Sequence, residues 1–302
     1  MTIRLRQNIT FIRSANPPFV LNIQSKKANI NELRIPNYES RFSIFLHIFA
    51  FHKNFVSDSL VIIPTYNEKE NVEKMIRKVF SLEKEFHVLI IDDGSPDGTA
   101  AIVKNLIPQF SGKLFIEERK GKLGLGTAYI HGFRWAIERK YDFIFEMDCD
   151  FSHNPDDLIR LYKACKDEGG DLSVGSRYIR GANVVNWPLG RVVMSYYASV
   201  YVRIITGIRV KDTTAGFVCY QRKVLETIPL DLIRFKGYAF QIEMKFTAIK
   251  CGFKLIEVPI VFTDRTEGTS KMSKGIFKEA ILGVIQMKWQ SLFRKYPKWN
   301  KK

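Results

Sequence analysis

Two carboxylates separated by one residue, Asp148-Cys149-Asp150, stand directly after the apolar run at 143–147. Acids so spaced at a strand end can share one hard divalent cation, magnesium or manganese, and the diphosphate it bridges. Alone the pair is a weak signal, because acids at strand ends often only cap the next helix. Two further polar clusters follow apolar runs earlier in the chain. Pro64-Thr65-Tyr66-Asn67-Glu68 offers an aromatic face for a nucleobase and a carboxylate for ribose hydroxyls. Asp92-Asp93-Gly94-Ser95 offers acceptors for base N–H groups, with a glycine for the tight turn. Turn chemistry explains each cluster singly, whereas three in succession point to one nucleotide-binding edge.

The elements that must carry these clusters alternate. Apolar runs at 60–63, 87–91, 114–116, 143–147 and 172–174 predict buried strands. Between them, 68–80 sets Val72, Met75, Ile76 and Val79 at helical spacing, and 99–107 and 127–138 predict further helices. Asn154-Pro155-Asp156-Asp157 opens another, with a cap residue, a proline in the first turn and acids at the positive end of the dipole. This alternation implies an α/β fold, a doubly wound, mostly parallel sheet with helices on both faces. Ligands of such sheets bind beyond the carboxyl ends of the strands, where all three clusters fall. Gly121 to Gly126 lacks the Gly-Lys-Ser/Thr ending of a phosphate loop and reads as a flexible loop beside the nucleotide. Apolar-aromatic stretches at 189–205 and 276–293 read as amphipathic helices with basic edges, able to lie in a membrane interface or to pack on the sheet.

Charge placement narrows the partners. The net charge is +16, yet the first 57 residues hold eight Lys/Arg against two acids and the last 38 hold ten against two. A nucleic-acid reader carries its basic stripe on the folded body, and the many aromatics fall at core spacing, so nucleic acid is excluded. Basic, aromatic-bearing ends fit an anionic membrane surface or solubilising tails. The four cysteines show no metal-ligand spacing and read as core residues of a reducing compartment. No signal peptide is evident, and no apolar run approaches the roughly 20 residues that span a bilayer. The chain thus reads as cytoplasmic and peripheral to the membrane. Residues 1–57 show no periodicity and read as a mostly disordered extension, 58–264 as the main domain, and 265–302 as a basic loop and helix.

PTYNE, DDGSPDGT, GKLGLGTAY, MDCDFSHNP, VGSRY, DTTAGF and DRTEGTSKM occur in that order between about residues 60 and 288. In this the chain resembles the polyprenyl-phosphate mannosyltransferases, dolichol-phosphate mannosyltransferase among them, in the family-two inverting glycosyltransferases of GT-A fold. The resemblance implies transfer of mannose from GDP-mannose to a polyprenyl monophosphate, with a divalent metal. It implies that Pro64, Tyr66, Glu68 and Asp93 hold the nucleoside with Asp92 in support, and that Asp148 and Asp150 engage metal and nucleotide. Ser152 stands where some members place a Gln ligand, and its shorter side chain reaches the metal only through water. Arg177 is implied to lie against donor or acceptor phosphate, Arg191 and Ser195 to contact the acceptor phosphate, and Arg265 and Lys271 to close over the diphosphate from a mobile loop. Positive charge against a departing nucleoside diphosphate is what this reaction needs, with no general acid. Asp212, Gly216 and Glu243 match family positions without a chemical step and read as structural. The stretch Phe240-Gln241-Ile242-Glu243-Met244 lacks the Arg-Trp pair of members with hydroxyl acceptors, which implies a phosphate acceptor and no side-chain base. Two alternatives stay open: a UDP-glucose or UDP-GlcNAc type donor, and a nucleotide-sugar-binding subunit without turnover. Lacking the C-terminal membrane helices of some relatives, the chain is expected to meet its lipid peripherally or through an anchoring partner.

Overall fold

The computed structural model describes residues 3–5, 9–12, 20–23, 57–264 and 275–299. The chain divides into two units, Met1–Val56 and Ser57–Lys302. In the first, β1 (Ile3–Leu5), β2 (Ile9–Ile12) and β3 (Val20–Ile23) pair antiparallel in that order, with Ile3 opposite Phe11 and Ile9 opposite Ile23. The sequence reading expects no regular structure here. The runs are too short to show a period, but their β-branched and aromatic residues favour strands.

The second unit is built on β4 (Ser59–Thr65), β5 (His87–Asp92), β6 (Leu114–Glu118), β7 (Phe143–Glu146), β8 (Leu172–Ser176), β10 (Val218–Gln221) and β11 (Leu255–Pro259). They form one sheet in the order β11-β8-β10-β7-β4-β5-β6, parallel except for β10, which runs antiparallel to β7 and β8, while β9 (Val184–Val185) pairs parallel with β12 (Phe262–Thr263) outside it. The predicted doubly wound sheet is therefore present, with one reversed strand inside it. Along β4, Leu60 and Ile62 enter one core while Val61 and Ile63 enter the other. Burial on both faces is why the run reads as continuously apolar instead of alternating.

Helices cover the two faces separately. α1 (Val72–Phe80), α2 (Thr99–Leu106) and α4 (Asp157–Lys166) pack on the Val61 side. α3 (Leu125–Glu138), α6 (Arg222–Thr227) and α7 (Tyr238–Lys250) pack on the Leu60 side. α3 closes tightly on β4 through Gly132, where a Cβ would lie 2.8 Å from Ile62 Cγ2. α5 (Leu189–Thr206) and α8 (Gly275–Phe293) share a third core with α7, built on Val202, Phe246, Val284 and Met287. α8 is helical as expected, but its apolar residues occupy more than one face. Val284 and Met287 are buried, while Ile281, Leu282, Trp289 and Phe293 are exposed. No described helix is long and apolar enough to cross a membrane.

Candidate active site

Register decides which strand ends meet. Thr65 of β4 lies opposite Asp92 of β5, Asp92 lies opposite Glu118 of β6, and Ile62 lies opposite Glu146 of β7. The carboxyl ends of four strands thus line one edge. β4 is the point where the order reverses, with β5 and β6 on one side and β7 on the other, so a crevice opens beyond β4 and β7. β10 runs the opposite way and delivers its amino end to this edge, which brings residues 212–217 into the crevice.

The first two clusters are laced together before any ligand arrives. Asp92 is buried, and its carboxylate accepts the Thr65 hydroxyl at 2.8 Å, the Ser95 hydroxyl at 2.6 Å and the Ser95 N–H at 2.9 Å. Its observed work is to tie the ends of β4 and β5. The Asn67, Glu68 and Lys69 N–H groups donate to Ser95 Oγ, Thr99 Oγ1 and Asp97 Oδ2. Asn67 takes a left-handed φ of 55°, which turns the chain so that the half-buried Tyr66 and Glu68 follow Pro64 at the crevice. Glu68 accepts the Asn71 side-chain amide at 3.1 Å, and Lys122 Nζ stands 5.4 Å from the Tyr66 ring centroid.

Asp93 is paired with Arg119, which the sequence reading missed. Arg119 Nε donates to Asp93 Oδ1 at 2.6 Å, and its Nη1 donates to Thr127 Oγ1 at 2.8 Å. One guanidinium thereby fixes the end of β5 against the start of α3. The signal was present, since Arg119 directly follows a strand as the other clusters do.

Asp148 follows β7 with its side chain 40% exposed, whereas Asp150 is 8% exposed and accepts the Ser152 N–H at 3.1 Å. Phe151 takes a left-handed φ of 60°, closing this turn. Ser152 Oγ is buried without a hydrogen-bond partner among the described residues. Two carboxylates and an orphaned hydroxyl are hard oxygen donors. Among the described residues no group of three or more His, Cys, Asp or Glu could hold a metal ion. That set fits magnesium or manganese, which bind through one or two carboxylates and keep positions for water and phosphate oxygens. His153, also missed, packs beside the turn. Its Nδ1 accepts the Asp148 N–H at 3.3 Å, and its ring stacks on Phe217 with centroids 4.9 Å apart. Burial pushes the imidazole down to about 4 against the charge of Asp150, so it is neutral near pH 7.

Arg177 follows β8 on the same edge but is turned into the protein. Its Nε and Nη2 donate to the two oxygens of Asp212 at 2.7 Å each, its N–H donates to Asp212 Oδ2 at 2.9 Å, and Nη2 also reaches Thr214 Oγ1. Asp212 is fully buried. Burial alone would raise its carboxyl, but the charge and hydrogen bonds of Arg177 outweigh it and hold it below the usual value. Asp212 thus holds Arg177 in a buried ion pair. Arg191, in the first turn of α5, lies 4.0 Å from the Trp187 ring centroid and donates to Asp264 Oδ1 at 2.9 Å. Ser195, half-buried, sits one turn further along. Arg265 and Lys271 lie outside the described residues.

Under the crevice lies a polar group in the Leu60-side core. Glu146 of β7 is fully buried and accepts the Gln241 side-chain amide of α7 at 2.5 Å. Lys245, also fully buried, donates to Ala215 O at 2.6 Å, to Gln241 O at 3.1 Å and to Gln241 Oε1 at 3.3 Å. Burial pushes the Glu146 carboxyl up to about 8 and the Lys245 ammonium down to about 8, against their mutual attraction. Glu243 of α7 points elsewhere, accepting the Arg234 and Phe235 N–H groups at 2.8 and 3.1 Å.

Residues 60–228 match the family model described as Glycosyl transferase family 2. The chain is 45% identical over 228 residues to a polyprenol monophosphomannose synthase of Mycolicibacterium smegmatis, covering 76% of this chain and 86% of that one. It is 42% identical over 237 residues to an undecaprenyl-phosphate mannosyltransferase of Micrococcus luteus, covering 77% and 96%. Among solved structures, a mannosyltransferase of Pyrobaculum calidifontis in complex with GDP-Man and Mn2+ superposes with a TM-score of 0.52 at 17% identity, over 85% of this chain and 74% of that one. A glucosyl-3-phosphoglycerate synthase of Mycobacterium tuberculosis, with Mn2+ and UDP, superposes at 0.54 and 16% identity, over 76% and 77%. These two likenesses bear on the fold.

Proposed function

The chain belongs to glycosyl transferase family 2, and on that premise we propose that it transfers mannose from GDP-mannose to a polyprenyl monophosphate, with inversion at the anomeric carbon. The observation that carries sugar and acceptor is the 45% identity to a polyprenol monophosphomannose synthase. The crevice supports the reaction class. Pro64 and Tyr66 line one side for the base, Glu68 faces the ribose hydroxyls, and Asp93, held by Arg119, presents a carboxylate to base N–H groups. Asp148 and Asp150, with Ser152 behind them, would hold a divalent metal. That metal, when bound, neutralises charge on the departing nucleoside diphosphate.

At the acceptor end, Arg191 and Ser195 hold the lipid phosphate. A phosphate oxygen forms the new bond to the anomeric carbon while the bond from that carbon to the diphosphate breaks on the opposite face. A phosphomonoester has a second pKa of about 6, so near pH 7 the nucleophile is already an anion and no base is required. The phosphate replaces Asp264 as the partner of Arg191, trading one carboxylate for a more highly charged anion. Arg177 acts through Asp212, and its guanidinium lies 5.3, 5.6 and 5.5 Å from the ring centroids of Tyr178, Trp187 and Phe262, Trp187 being also the ring beside Arg191. Arg265 and Lys271 are retained as the charges that close over the diphosphate. The exposed apolar residues of α5 and α8, among them Leu189, Ile204, Leu282 and Trp289, form the surface on which an anionic membrane and its lipid are met.

The test is a panel of radiolabelled GDP- and UDP-sugars offered with a short-chain polyprenyl phosphate and Mn2+. Label is expected in the lipid product from GDP-mannose and not when polyprenol replaces the phosphate. Preferential transfer from a UDP-sugar, or brisk transfer to the free alcohol, would overturn the reading.

A further inference from the structure

Two segments reach the crevice from different parts of the fold. One is the turn that carries Asp148 and Asp150, anchored at Glu146. The other is residues 212–217, whose Asp212 holds Arg177. Gln241 and Lys245 of α7, four residues apart and so on one helix face, bond to Glu146 and to Ala215 respectively. A Cβ on Gly216 would lie 3.8 Å from Gln241 Nε2 and 3.9 Å from His153 Cε1, so the segment runs between α7 and the metal-side turn.

We propose that Lys245 is a positioning residue of the transfer site, joining the Asp148–Asp150 turn to the segment that holds Arg177. Its ammonium has three donors, and three acceptors surround it: Ala215 O in the second segment, Gln241 O within its own helix, and Gln241 Oε1. The same Gln241 side chain donates onward to Glu146. The chain Ala215–Lys245–Gln241–Glu146 is therefore continuous from one arm of the crevice to the other, in a buried setting where each bond is strong and each omission costly. The Gln241 amide stands between the two titratable groups and is oriented to serve both, its oxygen toward Lys245 and its nitrogen toward Glu146. A buried ionic group can also be a mere relic of packing, since apolar replacements of similar volume are often equally stable. That difference separates a positioning role from a structural one.

The inference rests on the transfer reading above, and its test is chosen to fail independently. Lys245→Met and the triple variant Glu146→Leu/Gln241→Leu/Lys245→Met are made in the full chain. Urea unfolding, hydrogen exchange by mass spectrometry and initial rates are measured for each. Lys245→Met is expected to lose stability, and the triple variant to regain most of it. In both variants, amides of 145–153 and 212–217 are expected to exchange at least tenfold faster than in the wild type, and donor kcat/KM to fall at least tenfold. A triple variant with wild-type exchange in both segments, or with wild-type kcat/KM, would overturn the proposal. If the wild-type chain itself transfers no mannose, the transfer reading fails, while the exchange data still decide the role of Lys245.

Discussion

Replacing Arg177 by methionine keeps an unbranched stem and removes the guanidinium from a carboxylate that is fully buried. Two charge-assisted bonds at 2.7 Å are lost, leaving the Asp212 carboxylate with the Arg177 N–H and the Thr214 hydroxyl, which donates at 3.4 Å. Bonds to charged groups contribute about 1.5–3 kcal/mol each. Their joint loss therefore agrees with the ~3–5 kcal/mol seen when one member of a buried ion pair is removed. For a unit of this size the melting temperature should fall by on the order of 10 °C. The cost must also depend on pH. In the wild type Asp212 is held below its ordinary value, so its contribution is present above about pH 4 and is lost as pH falls through the folded value. In the variant, burial without the cation raises the carboxyl, and the penalty shrinks as the group is protonated. Urea unfolding at pH 7.5 and pH 4 measures both, with a larger gap between wild type and variant expected at pH 7.5. A variant of wild-type stability whose transfer rate had nonetheless collapsed would refute the reasoning, because the guanidinium would then be acting on a phosphate.

Asp150→Ala should leave the fold intact and remove about 3 kcal/mol or more of transition-state stabilisation, over a hundredfold in rate; full activity in excess chelator would count against the metal. Glu243→Gln should retain turnover, because an amide oxygen can still accept the Arg234 and Phe235 N–H groups; total loss with intact donor binding would restore Glu243 as a candidate base. Burial keeps His87 and His153 below the ordinary histidine value, so below about pH 6.5 the unfolded chain takes up protons the folded chain refuses. Stability should decline from about pH 6.5 to about 4, with a shallower slope in His153→Gln, and equal slopes in urea titrations would contradict this. Binding to anionic vesicles should weaken with added salt and with Trp289→Glu, which charges an exposed apolar position; sedimentation unchanged by either would remove the membrane surface from the reading.

The frame and the chemistry-bearing ends follow from residue order alone. Runs such as Leu60 to Ile63 are apolar at every position because both faces of the sheet are covered, and that is visible without coordinates. Pro64 to Glu68, Asp92, Asp93, Asp148 and Asp150 were legible because polar residues after buried strands have few structural reasons to be there. The pairings emerge only in three dimensions, since no local pattern records a partner distant in the chain. Arg119 finds Asp93 only when β5 and β6 align, and Arg177 finds Asp212 only because β10 is reversed between β7 and β8. The same reversal presents Ala215 to Lys245. From sequence, Arg177 is a cation next to a strand end, as suited to a phosphate as to a carboxylate. That Asp212 engages it follows from burial, which makes an unpaired carboxylate costly.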